Sequence, residues 1–311
     1  MRCFSIPRLI FAAASTLAAT VLLAAPLPCA ASTLIYFQFN GTDGASASAI
    51  TDSSSYGLNG TASASGSGQA PKYSSQTVGP VITNGIGGEI VNANNTSSLK
   101  FDNTGTVTSG DGGRITVQDP IGSDSLLEPS SFTVEAFIKV QDSIQYPTLV
   151  SKSRVDGGGS SWLVDTNSNN TLRVRTDHQA IGVATSPAPP GFNQSISSTQ
   201  NIADGNWHHF AVTYDATGKR FTIYLDYVSI GTGTLSGGEL NLVYDDNPLL
   251  IGQGGGGRAF DGWMDEFRFT DSVLTSDQFL RAVPEPGRAL LLALAGAMML
   301  TRRRRPRPQI G

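Results

Sequence analysis

Few side chains in this sequence stand at spacings that could support catalysis. His208 and His209 are adjacent in an alternating segment, so they would point to opposite faces of a strand and could not simply share a zinc ion. Asp265 and Glu266 are neighbours of the same kind, and Glu135 is a lone carboxylate in its segment. Hydrolysis of a glycosidic bond requires two carboxylates about 5–9 Å apart. The sequence therefore predicts no catalytic residues, and enzyme chemistry would need carboxylates that only the fold brings together.

Calcium is the metal ion that the composition favours. Ca²⁺ takes oxygen ligands from carboxylates and loop carbonyls, and residues 32–283 keep 24 of the 25 acidic residues but only 13 of the 21 basic ones. The resulting net charge of −11 argues against nucleic acid and against an anionic membrane surface as partners, because both require a basic face. An acidic, glycine-rich body is compatible with a divalent cation.

Aromatic and arginine side chains in or near loops are the candidates for ligand binding. Trp162 follows the glycine-rich stretch 156–159, and Arg258 follows a run of four glycines. Arg173 and Arg175 share one face of a predicted strand. Such side chains suit contacts with carbohydrate or peptide, so these four residues are predicted to form a ligand-binding rim. The alternative places Trp162 in the core and leaves the arginines solvated.

The elements that must position these residues are strands. The segment Phe132–Val140 alternates with a period of two, which is typical of a strand with one apolar face. Similar short segments follow one another between connections rich in Gly, Ser, Thr and Asn, which predicts an all-β fold, a two-sheet antiparallel sandwich or barrel. The other strand candidates are Thr33–Phe39, Ile115–Gln118, Thr148–Ser151, Trp162–Asp165, Leu172–Arg175, Trp207–Tyr214, Phe221–Asp226, Leu249–Gly252 and Trp263–Phe269.

Two stretches are predicted to differ from this pattern. Thr275–Gln278 fits a capping box, which predicts a helix of one or two turns that ends before Pro284. Residues 42–78 are rich in Ser, Gly and Ala, and we expect long loops there.

The N-terminus has the composition of an export signal. Arg2 and Arg8 lie before an apolar stretch over residues 9–25, and small residues follow that stretch. This pattern predicts a secretory signal peptide over residues 1–31, with a retained N-terminal anchor as the alternative. Both cysteines of the chain lie within residues 1–31, so the exported body would have no disulfide.

The C-terminal residues 283–311 carry a second signal. Pro284, Glu285 and Pro286 precede an apolar run of 12 residues and an arginine cluster, and the run is shorter than the roughly 20 residues of a lasting membrane span. This tail resembles the PEP-CTERM sorting signal. The resemblance implies processing by an exosortase, membrane contact only through this short, transient transmembrane helix, and delivery to the bacterial cell surface or the extracellular matrix. A plain C-terminal membrane anchor is the alternative.

The body between the two signals resembles the concanavalin A-like, laminin-G-like jelly rolls. Asp204–Asp215 is similar to that family's D-G-x-W-H-H-V-A-V-T-Y-D block, and Phe132–Val140 to its T-x-E-x-W/F-x-K strand. Phe260–Arg268 is similar to its closing F-x-G-x-I-D-E-V-R block, and Asp52–Gly60 fits its opening turn. The resemblance implies one jelly-roll domain over residues 32–282.

The resemblance also implies a structural calcium ion on the convex side of the sandwich. Asp265 would be a side-chain ligand, and the loop near Asp52 and Gly60 would contribute the others. In the alternative, Asp265 is a hydrogen-bonded turn residue and Asp52 forms an Asx turn. Tyr227 stands where the family usually has glycine, which predicts a differently shaped hairpin.

These observations predict an exported, non-catalytic module that binds extracellular polysaccharide or glycoprotein in adhesion. Two alternatives stay open. One is a structural matrix protein without a specific ligand, and the other is a glycan-active jelly-roll enzyme.

Overall fold

The fold was obtained as a computed structural model, which describes residues 31–83, 90–102, 111–119, 125–141, 146–153, 160–177, 193–235, 242, 244, 246–254 and 258–282. The predicted signal peptide (but for residue 31) and the whole sorting tail, with Pro284, Glu285 and Pro286, lie outside the described residues. Within the described part, no helix is long and apolar enough to cross a membrane.

All regular elements of the described residues are β-strands, numbered here along the chain. They are β1 (Thr33–Phe37), β2 (Ala49–Ile50), β3 (Gly60–Ser65), β4 (Lys72–Ser74), β5 (Val81–Thr83), β6 (Ile90–Asn92), β7 (Ser98–Phe101), β8 (Gly112–Val117), β9 (Phe132–Val140), β10 (Thr148–Ser153), β11 (Ser160–Thr166), β12 (Thr171–Asp177), β13 (Asn193–Asn201), β14 (His208–Asp215), β15 (Arg220–Leu225), β16 (Val228–Thr234), β17 (Leu249–Ile251), β18 (Gly262–Thr270) and β19 (Leu280–Ala282).

The strands form two large antiparallel sheets and a small one. The back sheet has the order β16-β15-β14-β9-β18-β7-β4, with β1 also paired to β18. The front sheet has the order β13-β12-β11-β10-β17-β8-β3-β2, and the small sheet is β19-β5-β6. The all-β, two-sheet antiparallel jelly-roll sandwich expected for the body is therefore confirmed.

The main core lies between the front and back sheets, where their apolar faces meet. Phe132 of β9 stacks on Trp162 of β11 with ring centroids 4.6 Å apart, and Phe269 of β18 packs against both rings, 5.6 Å from Phe132 and 5.9 Å from Trp162. All three are fully buried, and each such ring stabilises the fold by roughly 1.5–3 kcal/mol. The alternation read from the sequence thus assigns the core face correctly.

The outer face of the back sheet is covered as well. Residues 274–282, called the C-terminal segment below, lie across it together with the small sheet. Phe137 of β9 packs with Val81 and Leu280, and Ala211 of β14 packs with Phe279. As a result all nine residues of β18 are buried, which alternation alone does not indicate.

Two sequence predictions are wrong in this region. Residues 42–78 are not only loops, because β2, β3 and β4 lie within them. One of the two hydrogen bonds of a capping box forms, since Thr275 N donates to Gln278 Oε1 over 2.9 Å, whereas Gln278 N donates to the Thr275 backbone carbonyl over 2.9 Å as in a turn. They close a turn that enters strand β19, however, rather than a helix, because the backbone of 280–282 pairs with β5.

Candidate functional site

The predicted arginines of β12 lie on the outer face of the front sheet. Leu172 and Val174 are buried in the core, so Arg173 and Arg175 point the other way. The antiparallel register places Arg173 directly opposite Asp165 of β11. Three charged side chains therefore share one outward-facing patch.

Asp165 is bound tightly by both arginines. Arg173 donates from Nε to Oδ1 over 2.8 Å and from Nη2 to Oδ2 over 2.7 Å, a bidentate pair. Arg175 adds a donation from Nε to Oδ2 over 3.1 Å. Burial raises the pKa of Asp165 above its ordinary value although the two guanidinium groups act in the opposite direction. Its carboxylate serves to hold the arginines in place.

Tyr146 joins the third predicted arginine to this patch. The guanidinium carbons of Arg173 and Arg258 each lie 5.0 Å from the centre of the Tyr146 ring, within the range of a cation–π contact. The backbone fixes Arg258 there, because its carbonyl accepts a hydrogen bond from Thr148 N at the start of β10. We call Tyr146, Asp165, Arg173, Arg175 and Arg258 the arginine cluster.

Tyr146 is held in a strained conformation. Its φ is 63°, in the left-handed region that costs a residue with a β-carbon roughly 1–2 kcal/mol. Non-glycine residues in this region are enriched at functional sites. The strained backbone thus belongs to the residue whose ring contacts the two guanidinium groups.

The prediction that Trp162 belongs to the binding rim is wrong. Trp162 is fully buried between the sheets, stacked on Phe132. The physical reason is register, because Trp162 shares its side of β11 with buried Val164, whereas Asp165 takes the outer side. The structure thus brings three of the four predicted ligand residues together and removes the fourth.

The two predicted calcium ligands have no bonding partner in common. Asp52 Oδ1 accepts hydrogen bonds from Tyr36 N over 2.8 Å and from Ser54 N over 2.9 Å. Its Oδ2 accepts from Ser54 Oγ over 2.6 Å and from Leu58 N over 2.8 Å. A carboxylate has about four acceptor positions, so all of those of Asp52 are used. Asp52 does not fit a metal site, and it forms the Asx turn of the alternative interpretation.

Asp265 has a different environment. Its Oδ2 accepts hydrogen bonds from Thr77 Oγ1 over 2.9 Å, Val78 N over 3.2 Å and Asn95 Nδ2 over 2.8 Å. Its Oδ1 is buried and accepts no hydrogen bond, and the same holds for Asn95 Oδ1. Asp265 and Asn95 are joined by a hydrogen bond and each keeps one unsatisfied buried oxygen, the kind of ligand that a calcium ion prefers. In the described residues, no group of three or more His, Cys, Asp or Glu side chains could hold a metal ion.

The position of Glu266 in a strand predicts that its side chain points away from that of Asp265. The structure shows otherwise. The pairing of β18 with β9 is irregular between Asp265 and Arg268, and Glu266 has a φ of 55°. This bulge turns Glu266 toward Asn92, whose Nδ2 donates to Oε1 over 2.5 Å, and toward the Tyr36 hydroxyl. Burial, followed by the charge of Asp265, raises the pKa of Glu266, and burial raises that of Asp265.

Glu135 lies in a buried ion cluster that the sequence does not reveal. Arg268 Nε donates to Glu135 Oε1 over 2.7 Å, and His209 Nε2 lies 2.8 Å from Oε2. The C-terminal segment is attached to the same group, since Leu280 N donates to Glu135 Oε2 over 2.9 Å and Arg268 Nη2 donates to Gln278 O over 2.8 Å. Burial by itself would raise the pKa of Glu135, but Arg268 and His209 hold it below its ordinary value. The cluster fastens the C-terminal segment to the back sheet.

The two neighbouring histidines take opposite faces, as predicted. His209 is buried with Glu135, whereas His208 lies near the surface between two carboxylates. His208 Nδ1 lies 2.8 Å from Asp226 Oδ2, and Nε2 lies 3.0 Å from Asp204 Oδ1. The hydrogen bond that Asp226 accepts from the imidazole is the largest cause that raises the pKa of His208. The differently shaped hairpin that Tyr227 predicts is not found, because Asp226 and Tyr227 both have positive φ, at 47° and 71°, and Tyr227 thus adopts the conformation for which glycine is favoured.

Comparison with known families decides the relationship. The Laminin_G_3 profile, described as the concanavalin A-like lectin/glucanases superfamily, matches residues 92–279, more than half of the chain. The chain belongs to this superfamily. Members share a fold that serves both binding modules and enzymes, so membership alone does not assign a reaction.

Two solved structures are similar to this chain at low sequence identity. Domain 4 of AbnA, an extracellular GH43 arabinanase of Geobacillus stearothermophilus in complex with arabinotriose, is 15% identical with a TM-score of 0.52, over 80% of this chain and 96% of that one. The binding domain of botulinum neurotoxin DC, in complex with SialylT, is 15% identical with a TM-score of 0.48, over 79% of this chain and 50% of that one. The chain therefore spans about half the length of that neurotoxin domain. A search of curated protein sequences gave no significant match.

Proposed function

We propose that this protein is a non-catalytic carbohydrate-binding module and that its ligand lies on the arginine cluster. The observation that carries the proposal is the convergence of Arg173 and Arg258 on one strained aromatic ring on the outer face of the front sheet, with Arg175 joined to Arg173 through Asp165. Superfamily membership supports it, as does the fold shared with the AbnA domain, which was solved with arabinotriose.

The chemistry of the cluster suits a sugar. A tyrosine ring offers a flat apolar surface with a polar tip, against which the C–H face of a sugar ring can pack. Guanidinium groups carry five N–H donors in a rigid fork, which match the vicinal oxygens of a glycan. Asp165 keeps two of these forks oriented before the ligand arrives, which lowers the entropic cost of binding.

The bonding of the carboxylates favours binding over hydrolysis. Both oxygens of Asp165 are occupied by arginine donors. Glu135, Asp265 and Glu266 are buried on the back sheet, beneath the C-terminal segment or against residues 77–78 and 92–95. None of these four stands as a free acid or base beside the arginine cluster.

Calcium is proposed as a structural ion at Asp265, with Asn95 in the place first assigned to Asp52. Asp265 Oδ1 and Asn95 Oδ1 would supply ligands, and the ion would offset the buried carboxylate charge. Saturating Ca²⁺ added after EDTA treatment is expected to raise the unfolding temperature by about 5 °C. Asp265→Asn is expected to abolish this rise, and Asp52→Asn is expected to keep it. A rise that survives Asp265→Asn would contradict the site.

We also propose that the module is exported and processed by an exosortase, which would place it on the bacterial surface or in the extracellular matrix. The two terminal signals in the sequence support this. Intact-mass measurement of the native product tests it. The expected masses lack about residues 1–31 and the residues after the Pro284–Pro286 motif, and a full-length cytosolic product would contradict it.

Affinity electrophoresis of the full-length chain against a panel of neutral and acidic polysaccharides tests the binding function. At least one polysaccharide is expected to retard the protein, and Tyr146→Ala is expected to abolish the retardation. Arg220→Gln, an exposed change on β15 of the back sheet, is the matched control. Retardation by no polysaccharide would favour the structural matrix protein, and release of reducing sugar would favour the enzyme.

A further inference from the structure

We infer that the glycan bound by the arginine cluster carries anionic groups, either uronate carboxylates or sulfates. This inference rests on the proposed function and names the class of its ligand. It follows from the charges within the cluster, from the exposure of its guanidinium groups and from the contrast with the rest of the domain.

The arginine cluster carries more positive than negative charge. Asp165 is the carboxylate that pairs with Arg173 and Arg175. Among the described residues, no carboxylate lies within the 4.0 Å of an ion pair from Arg258. Three guanidinium groups therefore face one carboxylate, which leaves an excess of two positive charges at one point of a body whose net charge is −11.

This excess is placed where it would attract a ligand. The side chains of Arg173 and Arg175 are 14% and 26% exposed. Half-buried charges are screened less by water and salt than fully exposed ones. Arg175 uses Nε for Asp165, and its two Nη groups have no carboxylate partner in the described residues. An anionic group of a ligand would pair with the Nη groups that Asp165 does not bind.

Arginine is the side chain that suits the binding of an anionic group. Its planar fork binds a carboxylate or a sulfate through two parallel hydrogen bonds, which a lysine cannot do. In the cluster, the guanidinium carbons of Arg173 and Arg258 each lie 5.0 Å from the centre of the Tyr146 ring. A sugar ring packed on Tyr146 would therefore carry its acidic substituents toward guanidinium groups that lie around the ring.

Titration calorimetry of the full-length chain with matched pairs of polymers tests this inference. The pairs are alginate with its carboxyl-reduced form, and dextran sulfate with dextran. At least one anionic polymer is expected to bind tenfold or more tightly than its neutral partner, and the preference is expected to shrink as NaCl rises from about 0.02 M to about 0.3 M. The pair that shows the preference distinguishes a uronate from a sulfate.

Variants locate the effect. Arg258→Gln and Arg175→Gln are each expected to weaken binding of the anionic polymer about tenfold, the usual cost of one charge-assisted hydrogen-bonding group. Arg258→Lys keeps the charge and is expected to recover only part of that loss. Arg220→Gln removes the same charge from the back sheet and is expected to change nothing. Circular dichroism confirms that each variant is folded.

The outcomes separate this inference from the function on which it rests. Equal binding of an anionic polymer and its neutral partner would overturn the anionic class and leave the carbohydrate-binding function standing. Absence of binding to every polymer would overturn both. An equal loss in Arg220→Gln, or equally tight binding of poly-L-glutamate, would show unspecific charge attraction and would overturn the inference.

Discussion

The outer faces of the two large sheets use similar residues for different ends. On the back sheet, Glu135 is fully buried, and its partners Arg268 and His209 satisfy both of its oxygens beneath the C-terminal segment. On the front sheet, Asp165 binds two arginines, which remain partly exposed and outnumber it. The Glu135 cluster is closed and paired within itself, and the arginine cluster is open and keeps an excess of positive charge.

This difference separates a stabilising cluster from a binding cluster. A buried charge whose partners are removed costs several kcal/mol, so the back face must be complete in the folded protein. A half-exposed cluster can remain incomplete, because water takes the place of the missing partner until a ligand arrives. Changes on the back face should therefore alter stability, whereas changes on the front face should alter binding.

The largest expected effect is on the closed face. Glu135→Gln leaves Arg268 buried without a countercharge, and we expect the free energy of unfolding to fall by about 3–5 kcal/mol. Urea denaturation measures it. Asp102→Asn, which breaks the exposed pair of Asp102 with Lys100, is the control and is expected to cost less than about 1 kcal/mol. Equal losses in the two variants would refute the contrast.

Two tyrosines with positive φ sharpen the comparison, one from each face. Tyr227, at 71°, stacks on His209 at 4.8 Å and lies 4.1 Å from the Arg281 guanidinium. Tyr227→Gly is expected to cost about 2 kcal/mol, because the loss of a packed ring outweighs the relief of strain. Tyr146→Gly is expected to stay within about 0.5 kcal/mol of the parent, because relief of strain offsets two cation–π contacts.

Thermal unfolding and glycan binding, measured on both tyrosine variants, check this expectation. Tyr146→Gly should lose binding and keep its stability, and Tyr227→Gly should do the reverse. A Tyr146→Gly protein that binds normally would remove the ring from the proposed site.

The smallest expected effect concerns pH. Asp226 and Asp204 raise the pKa of His208 in the folded protein, so its contribution to stability is full below the unfolded pKa of about 6.5 and is lost as pH rises through the folded pKa. We expect a loss of about 0.5–1 kcal/mol across that interval, which His208→Gln should remove. Denaturation between about pH 6 and pH 8 measures it, and an unchanged slope in the variant would contradict the assignment.

Local patterns predict several long strands and the core, but not the nine-residue strand β13, the seven-residue strand β16 or the partners across the fold. The alternation of β9 identifies its core face, because every second residue from Phe132 onward lies on the same side of the strand. Strands β2, β3 and β4 escape notice because short Ser- and Gly-rich segments have little apolar periodicity, and pairing with neighbours makes them strands.

The Glu135 ion cluster and the arginine cluster show which contacts a local sequence pattern does not predict. Arg268 stands 133 positions from Glu135 in the sequence, so no local pattern joins them. Asp165 is nearer in the sequence to its partners, since it stands in one alternating strand and faces an arginine of the next strand. A hairpin register assigned to these two strands would predict the contact. Trp162 was misplaced because a neighbouring glycine run indicates a loop, whereas register decides which way the ring points.

Hydrogen–deuterium exchange of the full-length chain, with and without an alginate oligosaccharide that it binds, tests the central claim most directly. Binding at the arginine cluster is expected to slow exchange in residues 146–153 and 160–177 of the front sheet and to leave 132–140 and 262–270 of the back sheet unchanged. Slower exchange confined to the back sheet, or none in the front sheet despite binding, would contradict the claim.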